Sequence, residues 1–342
     1  MMLKRRPGSG KIGEIGIFAG LAAAVLAAAA VSACIGKYPV SLRQIGWLLF
    51  GGGEVPEMTR KLFFNLRLPR TCMAVLAGAG LGLAGSVFQT VFKNPLASPD
   101  IIGISGGANF GAAAAITAVA GSGMLPISAG AFAGGFAAVL CVMLLVRLTD
   151  ASRTTTYILA GIIMNAVSKA GIMVLKYFAD PENELAAMEY WEMGSFGNVT
   201  LSRLLSVLPL ILFAMTGILL LRRQIEMMEL SDQECRALGM RIRPIRIAVL
   251  MLSTLLVSSI VSVTGLISFA GLIAPHTARL ILRRNNSKTM ALSLLVGAFV
   301  VLCADILARV LYSAELPISI LTTVIGVPML LYFLIRRGRE RL

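Results

Sequence analysis

Apolar residues in this chain are grouped into long runs that lack charged side chains. The runs 15–36 and 71–92 each reach the roughly 20 residues that a helix needs to cross the hydrocarbon core of a bilayer. The run 101–146 is long enough for two such helices, and glycines with Pro126 mark the break between them. The same criterion predicts ten membrane-spanning helices, at about residues 12–36, 67–92, 101–120, 126–147, 154–178, 201–221, 246–263, 268–282, 289–311 and 316–336.

Composition and charge agree with a membrane protein and indicate its orientation. Hydrophobic residues make up 57% of the 342 residues and charged residues only 14%, which lies outside the range of soluble domains. Of the 31 lysines and arginines, 21 fall in segments that ten spans place on the same side as the termini. Because basic residues concentrate in cytoplasmic loops, we expect both termini in the cytoplasm. The net charge of +14 is therefore topological and does not predict nucleic-acid binding.

Residues that carry catalysis, or that bind metals and nucleotides, are sparse. His276 is the only histidine, and the five cysteines are scattered without CxxC spacing, so no metal site and no catalytic residue is predicted. The chain contains no GxxxxGKS or GxxxxGKT loop for phosphates. If ATP drives this protein, another polypeptide must bind the ATP.

The helix predicted at 154–178 carries polar side chains on one stripe. Four of them fall within about 40° of one stripe at 100° per residue, namely Thr154, Asn165, Lys169 and Lys176. Ionisable groups within a span normally face a water-filled cavity or a charged partner. We interpret Asn165 and Lys169 as lining a substrate path, with a buried ion pair as the alternative for Lys169. The ammonium group of Lys176 is expected to reach the outer interface. A cationic wall of this kind favours an anionic cargo.

The most specific motif of the chain lies at residues 67–109, which read RLPRTCMAVLAGAGLGLAGSVFQTVFKNPLASPDIIGISGGAN. This segment resembles the permease subunits of ABC importers for iron-siderophores, haem and cobalamin, the FecCD-like family. Further blocks with the family pattern lie at 262–281 (SVTGLISFAGLIAPHTARLI) and around Arg309. The resemblance implies an all-α polytopic membrane protein with ten transmembrane helices, in the type II ABC importer permease fold. It also implies a location in the bacterial cytoplasmic (inner) membrane.

The resemblance further implies partners, and no cofactor bound by this chain itself. Permeases of this kind work with two copies of an ATP-binding cassette subunit, which carries the ATP and magnesium. A periplasmic or lipid-anchored substrate-binding protein delivers the cargo. A second permease chain, which we take to be identical, completes the translocation path, and a paralogous second chain stays open. The chain is then a transport subunit and not an enzyme.

The segment 225–240 is predicted to contain a short amphipathic helix, with Ser231 and Glu234 as a capping box. From the pattern alone, an ordinary solvated connector is equally consistent. The resemblance implies that this cytoplasmic segment docks into the ATP-binding subunit and transmits its closure. The residues expected to make this coupling contact are Asp232, Ala237, Leu238 and Gly239.

Three outer arginines are candidates for docking an external protein. The resemblance implies that Arg67, Arg70 and Arg309 meet glutamates on the two lobes of the substrate-binding protein. The alternative for Arg67 and Arg70 is anchoring at the membrane interface. For Arg309 the alternative is an i,i+4 ion pair with Asp305.

A gate is expected at the inner end of the helix at 154–178. The resemblance places a pair of small hydroxyl residues there, and the matching positions are Thr154 and Thr155. Lys169 has no counterpart in many relatives, so its role is inferred from the stripe and not from the resemblance.

Taken together, these features predict the permease subunit of an ATP-driven importer that moves a ferric siderophore, or a similar iron chelate, from an external binding protein into the cytoplasm. A haem or cobalamin importer permease is the alternative within the family. An ion-coupled secondary transporter is the alternative of another class. Such a transporter needs intramembrane carboxylates, and Asp305 is the only acid clearly within a predicted span.

Overall fold

The computed structural model describes residues 11–119, 123–149, 154–312 and 314–339. Within these ranges the chain forms helices joined by short connections and contains no strand. Its α-helices are α1 Lys11–Cys34, α2 Leu42–Phe50, α3 Glu57–Leu62, α4 Leu68–Val91, α5 Ile104–Ala118, α6 Met124–Leu148, α7 Thr154–Phe178, α8 Ala186–Met193, α9 Leu201–Leu220, α10 Arg222–Met227, α11 Asp232–Ala237, α12 Ile242–Thr264, α13 Ala270–Leu282, α14 Ser287–Val310 and α15 Ile318–Arg339. Two π-helical turns (Phe63–Arg67 and Pro181–Leu185) and one 3-10 turn (Pro99–Ile102) complete the helical segments of these ranges.

Each of the ten predicted spans overlaps one helix of the structure. Seven helices of the described ranges are long and apolar enough to cross a membrane: α1, the continuous run from α3 to α4, α6, α7, α9, α12 and α14. The other three are shorter, since α5 has 15 residues, α13 has 13 and the apolar part of α15 covers Ile318–Phe333. The all-α polytopic class is therefore confirmed, whereas ten membrane crossings stay a prediction.

Some predictions concern residues outside the described ranges. Residues 1–10 and 340–342 contributed to the expected orientation, and residues 120–122 include the end of the third predicted span.

The connections form two faces of opposite charge. The basic face holds residues 222–241, in which four arginines balance four carboxylates, and residues 283–288, which add three basic residues. The backbone N–H of Ser287 joins these two segments by donating to Glu226 at 3.2 Å. The acidic face holds residues 180–192 together with Glu315.

Close contact between α4 and α14 forms the tightest part of the core. A methyl group added at Gly78 would overlap the carbonyl oxygen of Gly297, and one added at Gly82 would overlap the carbonyl oxygen of Ser293. Small residues let transmembrane helices approach to backbone contact, where dispersion forces replace the absent hydrophobic effect. Gly78 and Gly82 thus let the backbones of α4 and α14 come into contact.

Glycines join α5 and α6 in the same way. Methyl groups at Gly107 and Gly111 would overlap the carbonyl oxygens of Gly134 and Gly130, respectively. α12 lies at the centre of the bundle, where it packs against α4, α5, α6 and α9 and is largely buried. By contrast, α1 and α7 are mostly exposed within this chain.

The entry to α4 differs from the prediction. The predicted span begins at residue 67, whereas residues 57–91 form one helical run, so Arg67 and Arg70 lie within the run and not at its start. The run contains the π-helical turn Phe63–Arg67, and the N–H of Leu68 donates to the carbonyl of Phe63. Pro69 follows directly and lacks an N–H group, so a wider turn here accommodates the missing donor.

Candidate functional site

A cavity of about 610 Å³ lies between α4, α5, α7, α12 and the connection from α12 to α13. We call it the central cavity. Its volume is in the range of small-molecule sites, and apolar side chains of α7 and α12 contribute to its walls. Its polar and charged lining residues are Ser98, Asp100, Ser105, Asn109, Asn165, Lys169, Lys176, Glu192 and Ser268.

The 3-10 turn between α4 and α5 carries Asp100 into the cavity wall. The turn ends at Gly103, whose φ of 86° is a left-handed conformation that glycine adopts without strain. The Asp100 carboxylate accepts hydrogen bonds from the hydroxyls of Ser98, at 3.3 Å, and Ser105. Asn165 of α7 donates from Nδ2 to the carbonyl oxygen of Asp100 at 2.7 Å. The turn is therefore fastened to α7, and the orientation of Asp100 is set by two hydroxyl donors.

α7 presents three polar side chains of the predicted stripe to the cavity: Asn165, Lys169 and Lys176. The ammonium group of Lys176 does not simply reach an interface, because Nζ lies 2.6 Å from Glu189 and 3.1 Å from Glu192 of α8. Lys169 makes no ion pair with any residue of the described ranges and is exposed to the cavity. Whether Asn165 and Lys169 contact cargo stays a prediction.

The charges of the cavity wall are balanced, which the sequence did not indicate. Two lysines, Lys169 and Lys176, face two carboxylates, Asp100 and Glu192. Asp100 was not predicted to line the cavity. Nothing in the sequence pattern shows that the 3-10 turn after α4 folds back against α7. Glu192 lies on α8, outside the predicted spans, and nothing in the sequence pattern brings it to the cavity.

The two threonines predicted as a gate begin α7. Thr155 is exposed and Thr154 is half-buried, and neither lines the central cavity. Asn165 lies eleven positions further along α7, or roughly 16 Å at the helical rise. The threonines are near the basic face, since the nearby Tyr157 lies close to Arg246 of α12. Their role as a gate stays a prediction.

The connection between α12 and α13 forms another wall of the cavity. It begins at Gly265, with a φ of 68°, and ends at Phe269, with a φ of 63°. A left-handed conformation is costly for a bulky residue and persists where its surroundings enforce it. Ser319 of α15 supplies such support, because its hydroxyl donates to the carbonyl of Leu266 at 2.8 Å and accepts from the N–H of Ser268 at 3.3 Å.

The predicted capping box of the coupling segment, residues 225–240, is present. Ser231 accepts a hydrogen bond from the N–H of Glu234 at 3.2 Å, and Glu234 accepts from the N–H of Ser231 at 2.7 Å. Hydrogen bonding of the Glu234 carboxylate to the Ser231 side chain, and to the Ser231 N–H, lowers the pKa of this carboxyl. In the same segment, burial raises the pKa of Glu229.

The predicted coupling residues fall into two environments. Ala237, Leu238 and Gly239 are exposed at the end of α11, and the Leu238 side chain has 63% of its surface accessible. Gly239 has a φ of 79°, which ends the helix in the left-handed conformation typical of glycine. Asp232 instead pairs with Arg246 of α12 at 3.0 Å. A contact of Asp232 with another subunit would therefore compete with an internal ion pair.

A group of charged side chains, the arginine cluster, joins α4, α14 and the start of α15. It comprises Arg67, Arg70, Arg309, Asp305 and Glu315. Arg70 lies 2.8 Å from both Asp305 and Glu315. Arg309 lies 2.7 Å from Asp305, so the i,i+4 ion pair considered from the sequence is present. Asp305 is fully buried.

The remaining donors of the cluster bind backbone carbonyls near the end of α1. Arg309 donates from Nη1 to Ser32 at 2.9 Å and to Ile35 at 2.8 Å. Arg67 donates to the carbonyls of Ile35 and Tyr38, the latter at 3.3 Å. The three predicted docking arginines are thus brought together, but all of them are engaged within the chain. Docking of an external protein by these residues stays a prediction.

The single histidine is not part of either site. His276 packs against Phe333 of α15, with ring centroids 4.1 Å apart. Among the residues that the structure describes, no three histidine, cysteine, aspartate or glutamate side chains are grouped to hold a metal ion.

Comparison with known proteins gives consistent matches along the chain. The family model described as the FecCD transport family matches residues 24–336. The molybdate import system permease protein MolB of Haemophilus influenzae is 34% identical over 94% of this chain and 96% of its own length. The Fe(3+) dicitrate transport system permease protein FecC of Escherichia coli is 33% identical over 89% of this chain and 92% of its own. A solved structure described as an inward-facing ABC transporter of metal-chelate type has a TM-score of 0.84 at 32% identity, covering 94% of this chain and 99% of that one.

Proposed function

Because the chain belongs to the FecCD transport family and is a multi-pass permease subunit of an ABC transporter, we propose that it moves a ferric siderophore, or a similar iron chelate, into the cytoplasm. It is a transport subunit and not an enzyme, and it works with ATP-binding and substrate-binding components. The cargo is the part that we infer.

The observation that supports this cargo is the environment of Lys169. Its ammonium group faces the central cavity and has no ion-pair partner among the described residues, whereas Lys176 on the same helix is paired twice. An unpaired cation beside a cavity attracts negative charge, and more strongly where the surroundings exclude water. An anionic iron chelate meets this requirement and is large enough to use a cavity of about 610 Å³.

A small oxyanion is a second candidate cargo. Similarity to the molybdate permease MolB covers 94% of this chain, and Lys169 would attract an oxyanion equally well. The volume of the central cavity favours the larger chelate. Haem or cobalamin stay alternatives within the family; haem would benefit from Lys169 through its carboxylates, and cobalamin would benefit less.

A secondary transporter is disfavoured by the state of Asp305. This carboxylate is fully buried and paired with both Arg70 and Arg309. An ion-coupling carboxylate must bind and release its ion during transport, whereas ion pairs with two arginines already occupy Asp305.

The division of labour that we infer follows from this assignment. Two ATP-binding subunits would carry ATP and magnesium and contact Ala237, Leu238 and Gly239 at the basic face. A second copy of this permease would complete the path, with Thr154 and Thr155 as the gate. The substrate-binding protein would dock at the acidic face of a bacterial inner-membrane complex, with both termini of the permease in the cytoplasm.

Reconstitution tests the proposal. The permease, its ATP-binding subunits and its substrate-binding component are placed in proteoliposomes, and uptake of a ferric siderophore, haem, cobalamin and molybdate is measured with and without ATP. We expect ATP-dependent uptake of the ferric siderophore. Uptake of molybdate alone would refute the chelate, and accumulation without the ATP-binding subunits would refute the importer.

A further inference from the structure

The two carboxylates of the arginine cluster differ in exposure. Asp305 is fully buried, whereas the Glu315 side chain is 36% exposed at the acidic face. They occupy different edges of one guanidinium group: Nε and Nη2 of Arg70 face Asp305, and Nη1 faces Glu315 at 2.8 and 2.9 Å. The Nη1 edge of Arg70 is therefore the edge paired with a partly exposed carboxylate, and the other edge is paired with a fully buried one.

The other two arginines of the cluster are not paired with a partly exposed carboxylate, although Arg67 is only half-buried. Arg309 donates to backbone carbonyls of α1 and to the buried Asp305, and its side chain is 2% exposed. Arg67 donates to the carbonyls of Ile35 and Tyr38 just after α1. Replacing these acceptors by groups of another protein would require the end of α1 to rearrange.

We propose that Glu315 is an internal stand-in for a carboxylate of the substrate-binding component. It occupies Nη1 of Arg70 in the undocked permease, and a carboxylate of the docking protein takes its place. This inference rests on the proposed function, since it requires docking at the acidic face. It assigns the exchangeable contact to Arg70 and a structural role to Arg309.

Exchange of one carboxylate for another explains how Arg70 can be stable in the undocked permease and still bind a carboxylate of the docking protein. Without Glu315, the Nη1 edge of Arg70 would lack an acceptor in a nearly buried position, which carries a desolvation penalty although Asp305 still pairs the other edge. With Glu315 in place, the Nη1 edge is paired before docking, and the incoming carboxylate keeps it paired afterwards. Three arginines and two carboxylates leave the cluster one positive charge in excess, so an incoming carboxylate meets a local positive site within the acidic face.

The backbone around Glu315 permits this exchange without unfolding. The N–H of Leu316 donates to the carbonyl of Ala308, and the N–H of Ile318 donates to the carbonyl of Gly194, both at 3.1 Å. These hydrogen bonds hold the connection between α14 and α15 directly after Glu315. The Glu315 side chain can therefore turn towards solvent while its backbone stays in place.

A binding measurement tests the inference. The permease with its ATP-binding subunits, in lipid nanodiscs, is titrated with its substrate-binding component, and the Kd is compared between the wild type and Glu315→Gln. Since Glu315→Gln removes a competing, partly exposed ion pair, we expect the Kd to fall by about 3- to 10-fold. Combining it with Arg70→Gln should abolish this gain, because the exchanged contact then no longer exists.

Glu57→Gln is the matched control. Glu57 pairs with Lys61 on the exposed helix α3. Glu57→Gln therefore changes the net charge by the same amount as Glu315→Gln and leaves the arginine cluster intact. Equal tightening by Glu57→Gln, or an unchanged or weaker Kd for Glu315→Gln, overturns the inference while normal wild-type binding leaves the proposed function intact. Failure of the wild-type complex to bind the substrate-binding component overturns both.

Discussion

The Asp232 carboxylate and the Arg246 guanidinium lie 3.0 Å apart and tie the start of α11 to α12. Arg246 is buried at the start of α12, whereas α11 lies in the exposed coupling segment. A displacement of α11 by another subunit therefore reaches a central helix of the bundle through this ion pair.

Asp232→Asn should weaken this link. We expect cargo uptake in proteoliposomes to fall by about fivefold, the lower range of coupling free energies, with membrane insertion and basal ATP hydrolysis retained. Gln233→Ala changes the neighbouring exposed residue and should leave uptake unaltered. Equal losses in both variants would show that the whole segment matters and not the ion pair.

Ser231→Ala removes the cap of α11. The loss of an N-cap hydroxyl should speed amide hydrogen exchange in residues 232–238 by about fivefold, measured by mass spectrometry. A pH effect accompanies it: the folded-state pKa of Glu234 is lowered by its hydrogen bonds to Ser231. The stabilisation of α11 by the ionised Glu234 carboxylate is thus fully present above the usual glutamate pKa. It is lost as the pH falls through the lowered, folded-state pKa. Protection of these amides against hydrogen exchange, after correction for the intrinsic exchange rate, should fall on acidification. Unchanged protection would contradict the role of Glu234.

Lys169→Ala tests the contribution of the Lys169 charge, which has no ion-pair partner among the described residues, to cargo binding in the central cavity. We expect uptake of the ferric siderophore to fall by about tenfold, as for loss of one charge-assisted contact, while assembly and basal ATP hydrolysis persist. Lys169→Arg keeps the charge and should retain most of the uptake. Wild-type uptake by Lys169→Ala would remove the electrostatic argument for an anionic cargo.

Gly297→Ala tests the contact between α4 and α14. The added methyl group would overlap the carbonyl of Gly78, and such overpacking costs about 1–3 kcal/mol. Thermal unfolding in detergent, followed by tryptophan fluorescence, should therefore occur at lower temperature. Gly20→Ala in α1, where a methyl group meets no atom within 4 Å, is the control and should not lower it.

Asp305→Asn leaves Arg70 and Arg309 with an uncompensated charge in a buried position. Breaking a buried ion pair from one side costs about 3–5 kcal/mol, so we expect a large fall in thermal stability or in the yield of folded protein. Glu57→Gln breaks an exposed pair with Lys61 and should change stability by less than about 1 kcal/mol. Similar losses in the two variants would contradict a structural role for Asp305.

Local patterns made much of the fold predictable. The length of each apolar run indicates where the helices lie, because a helix must cross the bilayer within one continuous segment of the chain. The capping box at Ser231 and the pair of Asp305 with Arg309 are contacts within one or two turns of a helix, so spacing alone indicates them.

Contacts between distant segments could not be predicted in this way. Arg70 meets Glu315 across 245 positions, and the cavity receives Asp100 only because the 3-10 turn is fastened to α7 by Asn165. The continuous helix through Arg67 also escaped prediction, since a proline and two arginines are typical of a boundary, and here a π-helical turn accommodates them.

The glycine contact between α4 and α14 has a consequence for how access can alternate. Because the backbones of α4 and α14 touch at Gly78 and Gly297, the two helices cannot slide or tilt against each other without a steric clash. We therefore expect α4 and α14 to move together as one rigid unit. The movement that opens and closes access is then expected in α7, which is less buried within this chain and whose lysines line the central cavity.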